Sequence, residues 1–141
     1  SADVQMRELA RNVAAREAMI TEYESLTPDD RIDAAATALL RTTQQEFPVL
    51  DHQGRLEGVL ARNAIFSAVN ENRRNARVGD EMEREIPQIS LGDALTDALD
   101  ALYTQNKPAV AVIDRNGIVL GYITRENVGE MMALGGRDGR G

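Results

Sequence analysis

The chain has 141 residues, 43% hydrophobic and 28% charged, with 16 basic and 23 acidic side chains for a formal net charge of −7; that is one ordinary globular domain, or two very small ones sharing a core. It has no cysteine and one histidine, His52, which excludes disulfide frameworks, thiolate or His-pair metal centres and catalytic thiols. No apolar run approaches the ~18 residues of a membrane span and the acidic balance opposes phosphate backbones, so neither direct membrane insertion nor nucleic-acid binding is expected.

In chain order, Ser1 in place of a methionine reads as the start of a segment cut from a longer protein, or of one carrying a cloning remnant. Residues 1–18 read as an amphipathic connecting helix with Val4, Leu9, Val13 and Ala14 on its apolar side. A short extended segment follows near Ile20 to Leu26. Thr27-Pro28-Asp29-Asp30 offers a hydroxyl N-cap, a proline at the first helical position and a carboxylate at the third. The helix this predicts carries an apolar stripe of Ile32, Ala35, Ala36, Leu39 and Leu40. Phe47–Leu50 and Leu56–Leu60 read as a hairpin around Asp51-His52-Gln53-Gly54, with glycine where positive φ is required. A helix over about 63–72 follows, and residues 73–79, with Arg73, Arg74 and Arg77, read as a solvated linker.

The same order then recurs. An extended segment near Ile86 to Ile89 leads to Ser90-Leu91-Gly92-Asp93, another hydroxyl cap, and a helix with Leu95, Ala98, Leu99, Leu102 and Tyr103 on its stripe. Strands over 109–113 and 118–123 flank the turn Asp114 to Gly117, and a helix spans 125–134. Residues 135–141, with four glycines in seven, read as a disordered tail.

A shift of 63 residues aligns Val49-Leu50-Asp51 to Gly54 with Val112-Ile113-Asp114 to Gly117, Gly58 with Gly121, Leu39 with Leu102, and Met19 with Met82. The chain is therefore two copies of one helix-strand-strand-helix unit, over 19–72 and 80–134. Neither copy buries its sheet face alone. The expectation is an α+β fold of two pseudo-twofold-related repeats packed sheet to sheet, with an extra N-terminal helix.

This period, element order and the hairpin pattern hydrophobic-Pro-Val-hydrophobic-Asp-x-x-Gly-x-x-x-Gly resemble a tandem CBS pair, or Bateman module, over about residues 15–134. The stretches Phe47-Pro48-Val49-Leu50-Asp51, Gly54 to Leu60 and Ile123 to Met132 also look like the CBS region at the C-terminus of site-2-type membrane zinc metalloproteases. That resemblance implies a regulatory tail on the cytoplasmic side of an integral membrane enzyme, acting in cis on it. The H-E-x-x-H motif of those enzymes is absent, and no carboxylate pair or serine here stands in a catalytic setting; the chain itself is read as non-catalytic, with no metal and no required cofactor.

CBS pairs commonly bind adenosyl ligands through Gly-h-x-Thr/Ser-x-x-Asp, the carboxylate taking ribose hydroxyls and the hydroxyl facing phosphate at a helix start. Here the second copy reads Gly121-Tyr122-Ile123-Thr124-Arg125-Glu126-Asn127, with Asn127 where Asp is usual. The resemblance implies one adenine-nucleotide site there: Ile86, Pro108, Ala109 and Val110 at the base, Thr124 and Asn127 at ribose and phosphate, Lys107 or Arg125 supplying charge. In the first copy Ala61 and Ala64 stand at the polar positions, so the equivalent cleft, with Tyr23, Phe47 and Pro48, reads as degenerate. Plainer readings stand beside each of these. Thr124 with Asn127 is also an ordinary helix cap, Arg125 matches Arg62 and so has a structural role, Lys107 is a solvated loop residue, and Tyr23 and Phe47 are core aromatics. Two functions remain open: a sensor of an AMP, ADP or ATP type of ligand, or a ligand-free dimerisation module. By resemblance a homodimer is expected, with Ile65, Phe66, Val69, Val128, Met131 and Met132 as contacts.

Overall fold

The structure, a computed structural model, describes residues 2–134, without the side chains of Ala2 and Asp3; the expected tail at 135–141 lies outside the described residues. In chain order it has α1 (Ala2–Ala10), α2 (Ala15–Ala18), α3 (Ile32–Arg41), β1 (Glu46–Leu50), β2 (Leu56–Ala61), α4 (Arg62–Asn70), α5 (Val78–Glu81), β3 (Gln88–Ser90), α6 (Thr96–Leu99), a π-helical turn (Asp100–Thr104), β4 (Val110–Ile113), β5 (Val119–Ile123) and α7 (Arg125–Leu134). The α+β class is as expected. β1 and β2 pair antiparallel, and β3-β4-β5 form a second sheet with β3 parallel to β4. No helix among the described residues is long and apolar enough to cross a membrane.

The chain divides into two compact units. Glu22–Ile86 with Gly117–Val119 make one, holding the first copy from Glu22 onward; Met19–Thr21, expected at its start, belong to the other unit. Thr21 and the residues before it, Pro87–Asn116, and Leu120 onward make the other.

In the first-copy unit, Thr27 to Asp30 closes a turn instead of starting a helix. The Asp30 N–H donates to the Thr27 carbonyl at 3.1 Å, and the Thr27 N–H to Asp30 Oδ2 at 2.8 Å. α3 begins at Ile32, and its orphan N–H groups find carbonyls in the expected linker: Ile32 N–H donates to Ala76 O and Asp33 N–H to Arg74 O, both at 2.9 Å. That segment is a strap, not a solvated turn. Arg73 pairs with Glu71 and Glu81, Arg74 with Asp33, and Arg77 with Asp29. α3 buries Ile32, Ala35 and Ala38, whereas Leu40, expected on the stripe, is 89% exposed. These three pack with Phe47, Val49, Leu60, Ile65, Ala68 and Val78.

In the second-copy unit the expected 18-residue helix is broken. Val4 and Leu9 are 64% and 58% exposed, and Ala10, Val13 and Ala15 are the buried positions. The break frees backbone for long-range bonds: Leu95 N–H donates to Val13 O and Ala15 N–H to Asp93 O, both at 2.7 Å. These bonds repeat the strap. Val13 and Ala15 lie 63 residues before Ala76 and Val78, and Leu95 and Asp93 lie 63 after Ile32 and Asp30. The core positions repeat too: Leu95, Ala98, Ala101, Val110, Val112, Ile123 and Val128 answer Ile32, Ala35, Ala38, Phe47, Val49, Leu60 and Ile65.

The glycines mark where each upstream segment crosses its hairpin. Glu83 exchanges both backbone bonds with Val59 at 2.9 Å, and Ile20 does the same with Tyr122 at 2.8 and 3.1 Å. A Cβ on Gly58 would stand 2.6 Å from Glu83 O, and one on Gly121 2.5 Å from Ile20 O. The turn glycines Gly54 and Gly117 have φ of +86° and +83°, as the hairpin reading required.

Candidate functional site

The second-copy unit carries the candidate site at the start of α7. β5 ends at Ile123, and Thr124 is the next residue, 3% exposed. Its hydroxyl donates to Asn127 Oδ1 at 2.6 Å and accepts the Asn127 N–H at 3.1 Å. The Thr124 carbonyl accepts the Val128 N–H at 3.1 Å. This is a reciprocal N-cap: it fixes the helix start and holds the Asn127 side chain against it. The first N–H groups of such a helix have no partner within it, and they give its end positive potential.

Arg125 does not stand out as a free cation. Its Nη1 donates to the Leu102 carbonyl at 2.8 Å and the Lys107 carbonyl at 3.0 Å. The Tyr103 hydroxyl donates back to the Arg125 carbonyl at 3.3 Å, and burial pushes the Tyr103 phenol up. Thr124, Arg125, Asn127 and the segment Lys107–Pro108 are thus gathered in one unit. Ala109 and Val110 have no exposed surface and Val110 packs in the core, so in this conformation they form the foundation of the segment rather than an open wall. Lys107 and Pro108 are half-buried. Ile86 belongs to the other unit, where it is buried.

The equivalent residues of the first copy make a different arrangement. Ala61 is the N-cap of α4 and donates no side-chain bond; Ala64 is half-buried beside it. Phe47 and Pro48 are buried on β1, Phe47 in the core, while Tyr23 is half-buried with its phenol pushed up by burial. Glu24 is held by Arg41 at 2.5 Å and, through its backbone, by Gln44. Of the expected dimer contacts, Ile65 and Val128 are buried in their own units' cores, which corrects that reading; Phe66 is exposed, and Arg62 lies 4.8 Å over its ring. Sequence reasoning missed the Leu102 carbonyl and the strap carbonyls. The match of Met19 to Met82 was an upstream sign that the repeat extends into both straps, and Arg11 with Arg74 is a second at the same shift.

Among the described residues no cluster of His, Cys, Asp and Glu stands ready for a metal. The two equivalent cores and helix starts define a two-copy α+β module. The CBS-domain family model matches residues 15–71 and again 78–131. The chain belongs to the CBS-domain family, as a tandem pair. Among solved structures it is similar to the CBS domain pair of protein MJ0100 in complex with 5-methylthioadenosine and S-adenosyl-L-methionine, at TM-score 0.76 and 18% identity, covering 86% of this chain and 96% of that one. It is also similar to CBSX2 in complex with AMP, at TM-score 0.73 and 21% identity, covering 86% and 96%. A curated relative, a homoserine O-acetyltransferase of Methanococcus vannielii, is 20% identical over 112 residues, which are 78% of this chain but 23% of that protein. The chain thus spans about a quarter of that relative's length.

Proposed function

We propose that this CBS pair senses an adenosyl ligand at the start of α7 and passes occupancy to a domain joined to it in the same protein. The observation that carries this reading is the asymmetry of the cap position: Thr124 and Asn127 in the second copy, Ala61 and Ala64 in the first. Support also comes from two proteins of the same fold, one in complex with AMP and one with S-adenosyl-L-methionine. With a net charge of −7, an anionic ligand needs local positive potential, which the start of α7 and Lys107 supply. Titration with AMP, ADP, ATP and S-adenosylmethionine, followed by heat and melting temperature, tests it. A ligand at 100 times its Kd stabilises the fold by about 2.7 kcal/mol. Asn127→Ala should weaken binding and Ala61→Ser should not; no shift with any of the four ligands sinks the sensor reading.

One observation favours the alternative of a ligand-free dimerisation module. The Thr124 hydroxyl is already used twice, as donor and acceptor, by Asn127. Sedimentation in the same buffers decides that reading, which requires a dimer whether or not ligand is added. A membrane zinc metalloprotease as the attached enzyme rests on the hairpin and α7 stretches alone. Reading the encoding gene upstream for H-E-x-x-H and membrane spans tests it directly.

A further inference from the structure

The helix that precedes β4 does not end as its counterpart does. α3 closes regularly, with the Thr42 N–H on the Ala38 carbonyl at 2.9 Å. In the second copy the register widens through Asp100–Thr104: the Gln105 N–H donates to Asp100 O and the Lys107 N–H to Ala101 O, with Asn106 between them at φ +56°. This carries the Lys107 N–H past the carbonyl of Leu102, a residue with no exposed surface. A buried carbonyl left without a donor is costly. Arg125 supplies that donor, and the same nitrogen reaches the Lys107 carbonyl. One side chain on the first turn of α7 therefore holds both ends of the segment 102–107.

The first copy has an arginine at the same place but not the clasp. Arg62 stacks on Phe66, whose counterpart in the second copy is Gly129. With no ring to cover, Arg125 turns to the carbonyls. Its guanidinium is a fixed fork with several donors, suited to two acceptors at once, where a lysine ammonium is a point charge on a flexible stem.

We propose that Arg125 is a positioning residue: it sets Lys107 and Pro108 against the start of α7, and so couples ligand occupancy there to the widened helix end, without itself touching ligand. The proposal rests on the ligand-site reading above, and the experiment separates the two. AMP and adenosine are titrated into the wild-type chain, Arg125→Gln and Arg125→Lys, and amide exchange is followed over residues 102–110 with and without AMP. Both variants should weaken AMP and adenosine by the same factor, about tenfold, and should speed exchange at 105–110 in the free protein. AMP should then protect the start of α7 in Arg125→Gln but no longer protect 105–110. A loss confined to AMP, or full rescue by lysine, means that Arg125 meets the phosphate directly and overturns the proposal. Unchanged exchange in the free variants overturns it as well. If wild-type chain binds neither compound, the ligand reading fails, and the free-protein exchange alone decides the clasp.

Discussion

Where the second hairpin strand meets the following helix, the two copies share a backbone and differ in every polar device. The second copy caps α7 with Thr124 and Asn127 and ties it by Arg125 to two carbonyls. The first leaves α4 with Ala61 as its cap, and its arginine covers Phe66. The cores behind both junctions use equivalent positions. Duplication therefore preserved the packing, which both copies need in order to fold, while the helix start was free to specialise. A polar cap stands at one junction and not at the other, a difference worth about 1 kcal/mol of stability.

The equivalence of the cores is the easiest part to attack. Gly58→Ala and Gly121→Ala each press a Cβ into a backbone carbonyl, and neither carbonyl is on a flexible side chain. Each should destabilise by about 3 kcal/mol, read from the urea midpoint. Equal losses support equivalent crossings; a harmless alanine at either site breaks the equivalence.

The junctions come next. Thr124→Ala should cost about 1 kcal/mol, and the double change Ala61→Thr with Ala64→Asn should raise stability by about 0.5–1 kcal/mol by building the missing cap. If the double variant gains nothing, the two helix starts are less alike than their sequences.

The smallest effect concerns the strap. The Arg77 hydrogen bond and charge hold the Asp29 carboxyl below its ordinary value, and backbone N–H groups led by that of Arg55 do the same for Asp51. A depressed folded value means that stability is present above the unfolded value of about 3.9 and is lost as pH falls through the folded one. Asp29 is exposed and Asp51 partly so, so the loss is shallow and salt-sensitive. Arg77→Gln should return the Asp29 titration, followed by NMR, toward the ordinary carboxylate range; an unmoved curve removes the strap's electrostatic part.

Much of this was legible in the chain. The shift of 63 residues gave the copies, the hairpins and their glycine turns, and the last helix matches its expected span, Arg125–Leu134. Thr124 with Asn127 was legible both as a cap and as a ligand motif, because each reading uses residues three apart on one helical turn. Less legible was which apolar residues would be covered. Leu40, Val4 and Leu9 fit a periodic stripe and lie exposed, because periodicity marks a face without saying whether anything packs on it.

The sequence by itself determined the turns and the cap, whose residues lie within a few positions of one another, and the repeat and the family, which show when the chain is laid on itself at a shift of 63. Tertiary structure alone decided where α3 starts, why the N-terminal helix breaks, and what Arg125 holds. In each case the deciding partner is a backbone carbonyl, which every residue carries and no side-chain pattern announces. Only the fold chooses which carbonyl arrives: Ala76 at Ile32, Val13 at Leu95, and Leu102 at Arg125.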